Sequence, residues 1–201
     1  MEEGIGTGRL EAFSDGVFAI AATLLILEIG VDTSRGDLGK QLTDIWPAYL
    51  AYVTTFLVIG IIWINHHHCV SLIGRVDRTF LFMNLLLLLT VSFMPFPTKL
   101  VAQYLQKPDE RQAVIAYAAT LTLMAVLFNI WWRYARTNRR LIAENSSDAA
   151  LAAVDRAFTP GVPLYGLTLA VAFVSPLASV IITLALAVFY LPSAALFERG
   201  G

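Results

Sequence analysis

The chain has 201 residues, 57% hydrophobic and only 14% charged, with a mean hydropathy of +0.68. A soluble domain carries about 25% charged and 45–50% apolar residues, so this composition excludes one and indicates a polytopic membrane protein. A net charge of −1 offers no basic field for nucleic acid, and a single cysteine, Cys69, excludes an intramolecular disulfide.

Residues 1–8, with Gly4, Gly6 and Gly8, read as a flexible lead-in. A first span is expected over 9–30, uncharged from Gly16 to Leu27. At about 1.5 Å per residue it is long enough to cross a hydrocarbon core of roughly 30 Å. A signal peptide is the competing reading, but Glu2, Glu3 and the lack of a small-residue cleavage site argue against it. The span opens on a polar head of Arg9, Glu11, Ser14 and Asp15, and ionisable groups at such a depth mark a functional site by default.

A polar loop, 31–43, leads to a second span over 44–66, with Trp46 and Tyr49 near one interface and Trp63 near the other. His66, His67, His68 and Cys69, followed by Arg75, Asp77 and Arg78, are expected to form the next connection. The third span covers 79–104, and Pro95 and Pro97 should kink or end it, because proline lacks a backbone donor and clashes one turn back. A fourth span over 111–134 ends in Trp131 and Trp132.

The longest polar segment, 133–158, carries Arg133, Arg136, Arg139 and Arg140. Within it Asn145 or a neighbouring serine is placed to cap an interfacial helix over 148–157. A short fifth span, 160–175, and a sixth, 177–197, complete an all-α membrane protein of six spans in one domain. The alternative for the last two is a single re-entrant hairpin.

With both termini inside, nine of the 14 lysines and arginines fall on inner segments: Arg9, Arg75, Arg78, Arg133, Arg136, Arg139, Arg140, Arg156 and Arg199. Arg35, Lys40, Lys99, Lys107 and Arg111 fall outside. The positive-inside rule therefore puts the termini and the polar head at the cytoplasmic face of the cell membrane.

At about 100° per residue, with Ile20 as origin, Leu24 lies at about 40° and Leu27 at about −20°, with Thr23 at the stripe's edge near −60°. Ser14 and Asp15 fall on the opposite half, near 120° and −140°. The apolar stripe either faces lipid, as any membrane helix would, or lines a symmetric pore in which rings of aliphatic side chains expel water. In the pore reading Thr23 offers hydroxyls beside the constriction, while Ser14 and Asp15 bond to the second and third spans. Trp63, Asn65, His66 and Asn84 are their candidate partners. Three consecutive histidines point about 100° apart and cannot all ligate one metal, so no metal site is expected. A hydrolytic Ser14–Asp15–His66 grouping lacks an oxyanion donor and a substrate pocket, and no enzyme is expected.

The run Arg9-x-x-x-Phe13-Ser14-Asp15, followed by Gly16-Val-Phe-Ala-Ile20-Ala-Ala-Thr23-Leu24, resembles the head of the first helix in the TMEM175 family of potassium channels. The end of the second span, Trp63-Ile-Asn65-His66-His67, is similar to it more loosely. The resemblance implies a homotetramer of single six-helix units whose first helices line the pore. It implies a constriction at Ile20, Leu24 and Leu27, a pore-lining Thr23, and an Arg9, Phe13, Ser14, Asp15 motif that holds the first helix in place. It further implies potassium and other monovalent cations as permeant ions, with no cofactor. The runner-up is a secondary transporter, which internal repeats and broken helices around a midplane polar site would mark. A membrane scaffold without transport is the third reading.

Overall fold

The computed structural model describes residues 7–31 and 36–196. Glu2, Glu3, Arg35, Arg199 and the far end of the sixth expected span lie outside the described residues. Four helical stretches are long and apolar enough to cross a membrane: Thr7–Glu28, Trp46–Ser71, Arg78–Tyr104 and Glu110–Arg139.

The first is α1, Thr7–Leu24, closed by a 3₁₀ turn over Leu25–Glu28. A short helix, α2 (Leu38–Asp44), leads into α3, Trp46–Ser71, with Pro47 in its first turn, where a missing N–H costs nothing. α3 continues to Ser71, five residues past the expected end at 66, so His67, His68 and Cys69 are helical instead of forming the connection expected from sequence. An uninterrupted α pattern through residue 71, without glycine or proline after Gly60, explains the extension.

Asp77 caps α4 (Arg78–Phe93) by accepting the Phe80 N–H at 2.8 Å. The expected proline break falls at Met94, after which Pro95 opens α5 (Pro95–Tyr104). Thr98 donates its hydroxyl to the Met94 carbonyl at 2.8 Å, occupying an acceptor at the break. α6, Glu110–Arg136, is about 40 Å long and places Arg133 and Arg136 in its last turn, where the helix dipole favours cations. Ser147 caps α7, Asp148–Phe158. α8, Gly161–Ala172, has 12 residues, or about 18 Å, well short of a hydrocarbon core. α9, Pro176–Leu196, has 21. Ser179 of α9 donates to the Thr168 carbonyl of α8 at 2.8 Å, tying the pair together.

α6 packs against α4, α5 and α8, and α3 packs against α1, α5 and α9. Among the largest fully buried side chains are Trp131, Trp132, Tyr117 and Phe80. α1 sits at the edge of this bundle, touching α3 and α4 along its length and α5 through its 3₁₀ turn. At the arginine-rich end the α3–α4 link is stitched to the segment after α6. Gly74 N–H donates to Leu141 O at 2.9 Å and Ala143 N–H to Leu72 O at 3.0 Å. A Cβ on Gly74 would lie 2.8 Å from the Ala143 Cα, so this close approach requires glycine.

Candidate functional site

α1 and its closing 3₁₀ turn bury Leu10, Ser14, Phe18, Ala21 and Leu25, spaced four, four, three and four residues apart along one face. Ser14 on that face is fully buried in apolar surroundings, where an unpaired hydroxyl would cost about 1–3 kcal/mol. It is satisfied twice. Ser14 Oγ donates to the Leu10 carbonyl at 2.8 Å and accepts from Asn84 Nδ2 at 3.0 Å. Asn84 Oδ1 lies 2.9 Å from His66 Nε2, so with the amide oriented this way the imidazole carries its proton on Nε2. The result is a one-way chain from His66 on α3, through Asn84 on α4, to Ser14 and then the backbone of α1. His66 is held between Trp131, stacked at 4.9 Å between centroids, and Phe18 at 5.5 Å.

Asp15 takes the Trp63 indole N–H at 2.8 Å, and one turn earlier Glu11 meets His67 Nδ1 at 2.9 Å. The second and third spans thus each hold the polar head by side-chain hydrogen bonds. Of the four candidate partners, Trp63, His66 and Asn84 join this head. Asn65 does not: it lines a recess on the opposite side of α3, facing α6. The three consecutive histidines diverge, with His66 buried against Asn84 and His67 exposed against Glu11.

Arg9 and Phe13 are exposed. So are Ile20 at 61%, Leu24 at 41% and Leu27 at 72%, which share one uncovered side of α1. The 3₁₀ turn keeps Leu27 on the stripe: at three residues per turn it moves from about −20° to about 40°, level with Leu24, while Leu25, near 160°, stays on the buried side. Thr23 is exposed at the edge of the stripe and donates its hydroxyl to the Ile20 carbonyl at 2.9 Å, leaving the oxygen lone pairs free to face outward. Below the turn, Glu28 pairs with Lys99 of α5 at 3.3 Å. Beside the stripe, a recess of about 660 Å³ opens between α1 and α3, walled by Asp15, Ala22, Phe56, Gly60 and Trp63.

A second polar node is not foreseen from the sequence. Thr55 of α3 lies 3.0 Å from both Thr98 of α5 and Tyr117 of α6, all three buried. Because Thr98 donates to Met94, the proton order is Tyr117 to Thr55 to Thr98, and every donor is used. The one signal in the sequence is Thr55 within an apolar run, but its partners lie 43 and 62 residues away.

A family model for the endosomal/lysosomal potassium channel TMEM175 matches residues 9–95, the stretch that contains both the polar head and the stripe. A potassium channel of Chamaesiphon minutus is 42% identical over 188 residues, covering 92% of this chain and 93% of its own length. The chain belongs to the TMEM175 family. A second relative, a potassium channel of Streptomyces collinus, is 45% identical over 173 residues, covering 84% of each chain. The crystal structure of the lysosomal potassium-selective channel TMEM175 homologue from Chamaesiphon minutus matches the fold with a TM-score of 0.84 at 40% identity. It covers 94% of this chain and 97% of that one. Members of this family are ion channels, not enzymes.

Proposed function

We propose that the protein is a passive, potassium-permeable cation channel assembled from four copies, with α1 of each around a central axis. The observation that carries this reading is the division of α1: its polar head is bonded inside its own subunit, while Ile20, Leu24 and Leu27 are left uncovered. A helix anchored so firmly on one side is suited to present the other to a partner or a pore. Rings of Ile20, Leu24 and Leu27 form an apolar constriction that conducts when hydrated and closes by dewetting. Thr23 supplies oxygens beside it. Arg9, Phe13, Ser14 and Asp15 set the position of the helix and do not touch the ion. The recess between α1 and α3 receives a neighbouring subunit. The chain is one channel domain of six spans, with α8 and α9 contributing the last two, in the plasma membrane with both termini cytoplasmic. Potassium is the permeant ion and no cofactor is required.

The reversal potential of the purified protein in planar bilayers under a potassium/sodium gradient tests this. Discrete currents reversing toward the potassium potential support it. Currents reversing near zero remove the selectivity and keep the channel. Saturating, proton-coupled flux without discrete currents would replace the channel with a transporter.

A further inference from the structure

The arginine-rich end of α6 lies beside two recesses. The first, a shallow one, lies between α3, α6, α8 and α9 and is walled by apolar groups such as Ile61, Leu121, Met124, Ala125 and Phe128. Few polar groups break it, among them Asn65, Asn129 and Tyr165. The second, about 890 Å³, is polar and is lined by Trp132, Arg133, Arg136, Asn138, Asp155 and Thr159. Asn129 and Phe158 line both, so the two adjoin, with the Asn129 Nδ2–H donating to the Phe158 carbonyl at 3.3 Å on their shared wall.

The charge of the polar recess is positive. Asp155 is its one carboxylate, and that group is already engaged: Oδ1 accepts the Trp132 indole N–H at 2.8 Å and Oδ2 faces Arg136 at 3.4 Å. The Arg136 Nε–H is nevertheless a buried donor without an aligned acceptor. Arg133 is exposed at the mouth and pairs with no described carboxylate. Arg139 and Arg140, by contrast, are taken by Asp148 and Asp77. Two guanidinium groups therefore face a polar space that adjoins an apolar one at the end of a membrane helix. Basic pockets between membrane helices recruit anionic lipid headgroups.

We propose that this double recess is a binding site for an anionic phospholipid, with the phosphate on Arg133 and Arg136 and one acyl chain between α6 and α8. The shared chemistry is phosphate recognition, and the adjoining apolar recess selects a lipid over a free anion. Guanidinium groups suit it because they present forked donors to phosphate oxygens. Lipid binding at this end is independent of ion conduction along α1, and it is read by binding alone.

The full chain is delipidated, reconstituted in phosphatidylcholine nanodiscs containing phosphatidylglycerol, and read by native mass spectrometry and by its unfolding temperature. Wild type should retain phosphatidylglycerol in preference to phosphatidylcholine. Arg133→Gln should weaken retention about fivefold, the effect of one arginine near an anionic headgroup. Arg78→Gln, which removes the same charge from an exposed position outside both recesses, should change it less than twofold. Ala125→Phe, which fills the apolar recess, should weaken retention while leaving Arg133 in place. Equal retention of phosphatidylcholine, or equal losses in Arg133→Gln and Arg78→Gln, would overturn the site. So would an equal rise in unfolding temperature from millimolar inorganic phosphate alone, which would make the ligand a small anion. Should Ala125→Phe fail to fold, the comparison of the two arginine variants decides.

Discussion

Along α1, Leu10, Ser14, Phe18, Ala21 and Leu25 are buried against α3, α4 and α5, whereas Ile20, Leu24 and Leu27 are bare. The contrast follows from the solvent. In a bilayer an uncovered leucine costs nothing, because lipid tails are as apolar as a neighbouring helix. An uncovered serine or carboxylate is expensive, so it must find protein or water. Ser14 and Asp15 therefore report where α1 touches its own subunit. The leucines report only where it does not, and both a pore and the lipid satisfy them.

The sharpest way to break this contrast is to empty the buried side of its central group. Asn84→Leu strands the His66 Nε2–H and removes one of the two hydrogen bonds of Ser14, and should cost about 1–3 kcal/mol, seen as a lower unfolding temperature in detergent. An unchanged unfolding temperature would mean that the chain from His66 to Ser14 does not hold α1.

Asp77 offers a comparison outside the membrane-spanning helices. Its carboxylate accepts from the Phe80 N–H, from the Tyr134 hydroxyl at 2.8 Å and from Arg140 at 3.3 Å. Partial burial pushes its pKa up, but these hydrogen bonds and the Arg140 charge outweigh that and hold it below the ordinary 3.8. The stabilisation is therefore full above the ordinary carboxylate value and is lost as pH falls through the lower folded-state value. Asp77→Ala should cost about 0.5–2 kcal/mol at neutral pH, as for a lost helix cap, with the difference from wild type shrinking below pH 3.8. Unfolding curves of both proteins against pH read it directly.

Trp63→Phe removes only the bond to Asp15 and should cost about 1 kcal/mol. Asp15→Asn keeps an acceptor for the indole and should cost less than Trp63→Phe, a ranking that thermal unfolding of the two variants checks. Smallest in stability, and largest in current, is Leu24→Ala. Its side chain is 41% exposed, so stability should move by no more than about 0.5 kcal/mol, while single-channel conductance rises as the constriction widens.

Much of this is legible in the residues. The first four spans follow from hydropathy, the break at Met94 from Pro95 and Pro97, and the partners of the polar head from the scarcity of polar groups near it. Asn65 misleads because sequence proximity to Trp63 and His66 does not fix the face of α3 on which a side chain stands. The end of α3 is easily placed too early because histidines at a helix end resemble a connection, although they continue the helix. The 3₁₀ turn at Leu25–Glu28 has no local signature, and it turns Leu27 by about 60° along the same stripe. The Thr55–Thr98–Tyr117 node depends on the packing of three helices, and pairing across such separations is invisible in one sequence.

Cys69, the one cysteine of the chain, is buried, so an introduced thiol on α1 is the one a reagent meets first. In Leu24→Cys, a water-soluble, membrane-impermeant cationic thiol reagent should block the bilayer current irreversibly. The same reagent should leave Phe189→Cys, on the exposed face of α9, unaffected. Block at Leu24 and none at Phe189 is the result expected of a pore lined by α1. A Leu24→Cys protein that carries full current after exposure, and whose thiol reacts only with a lipid-soluble maleimide, would turn the stripe toward lipid and contradict a channel lined by α1.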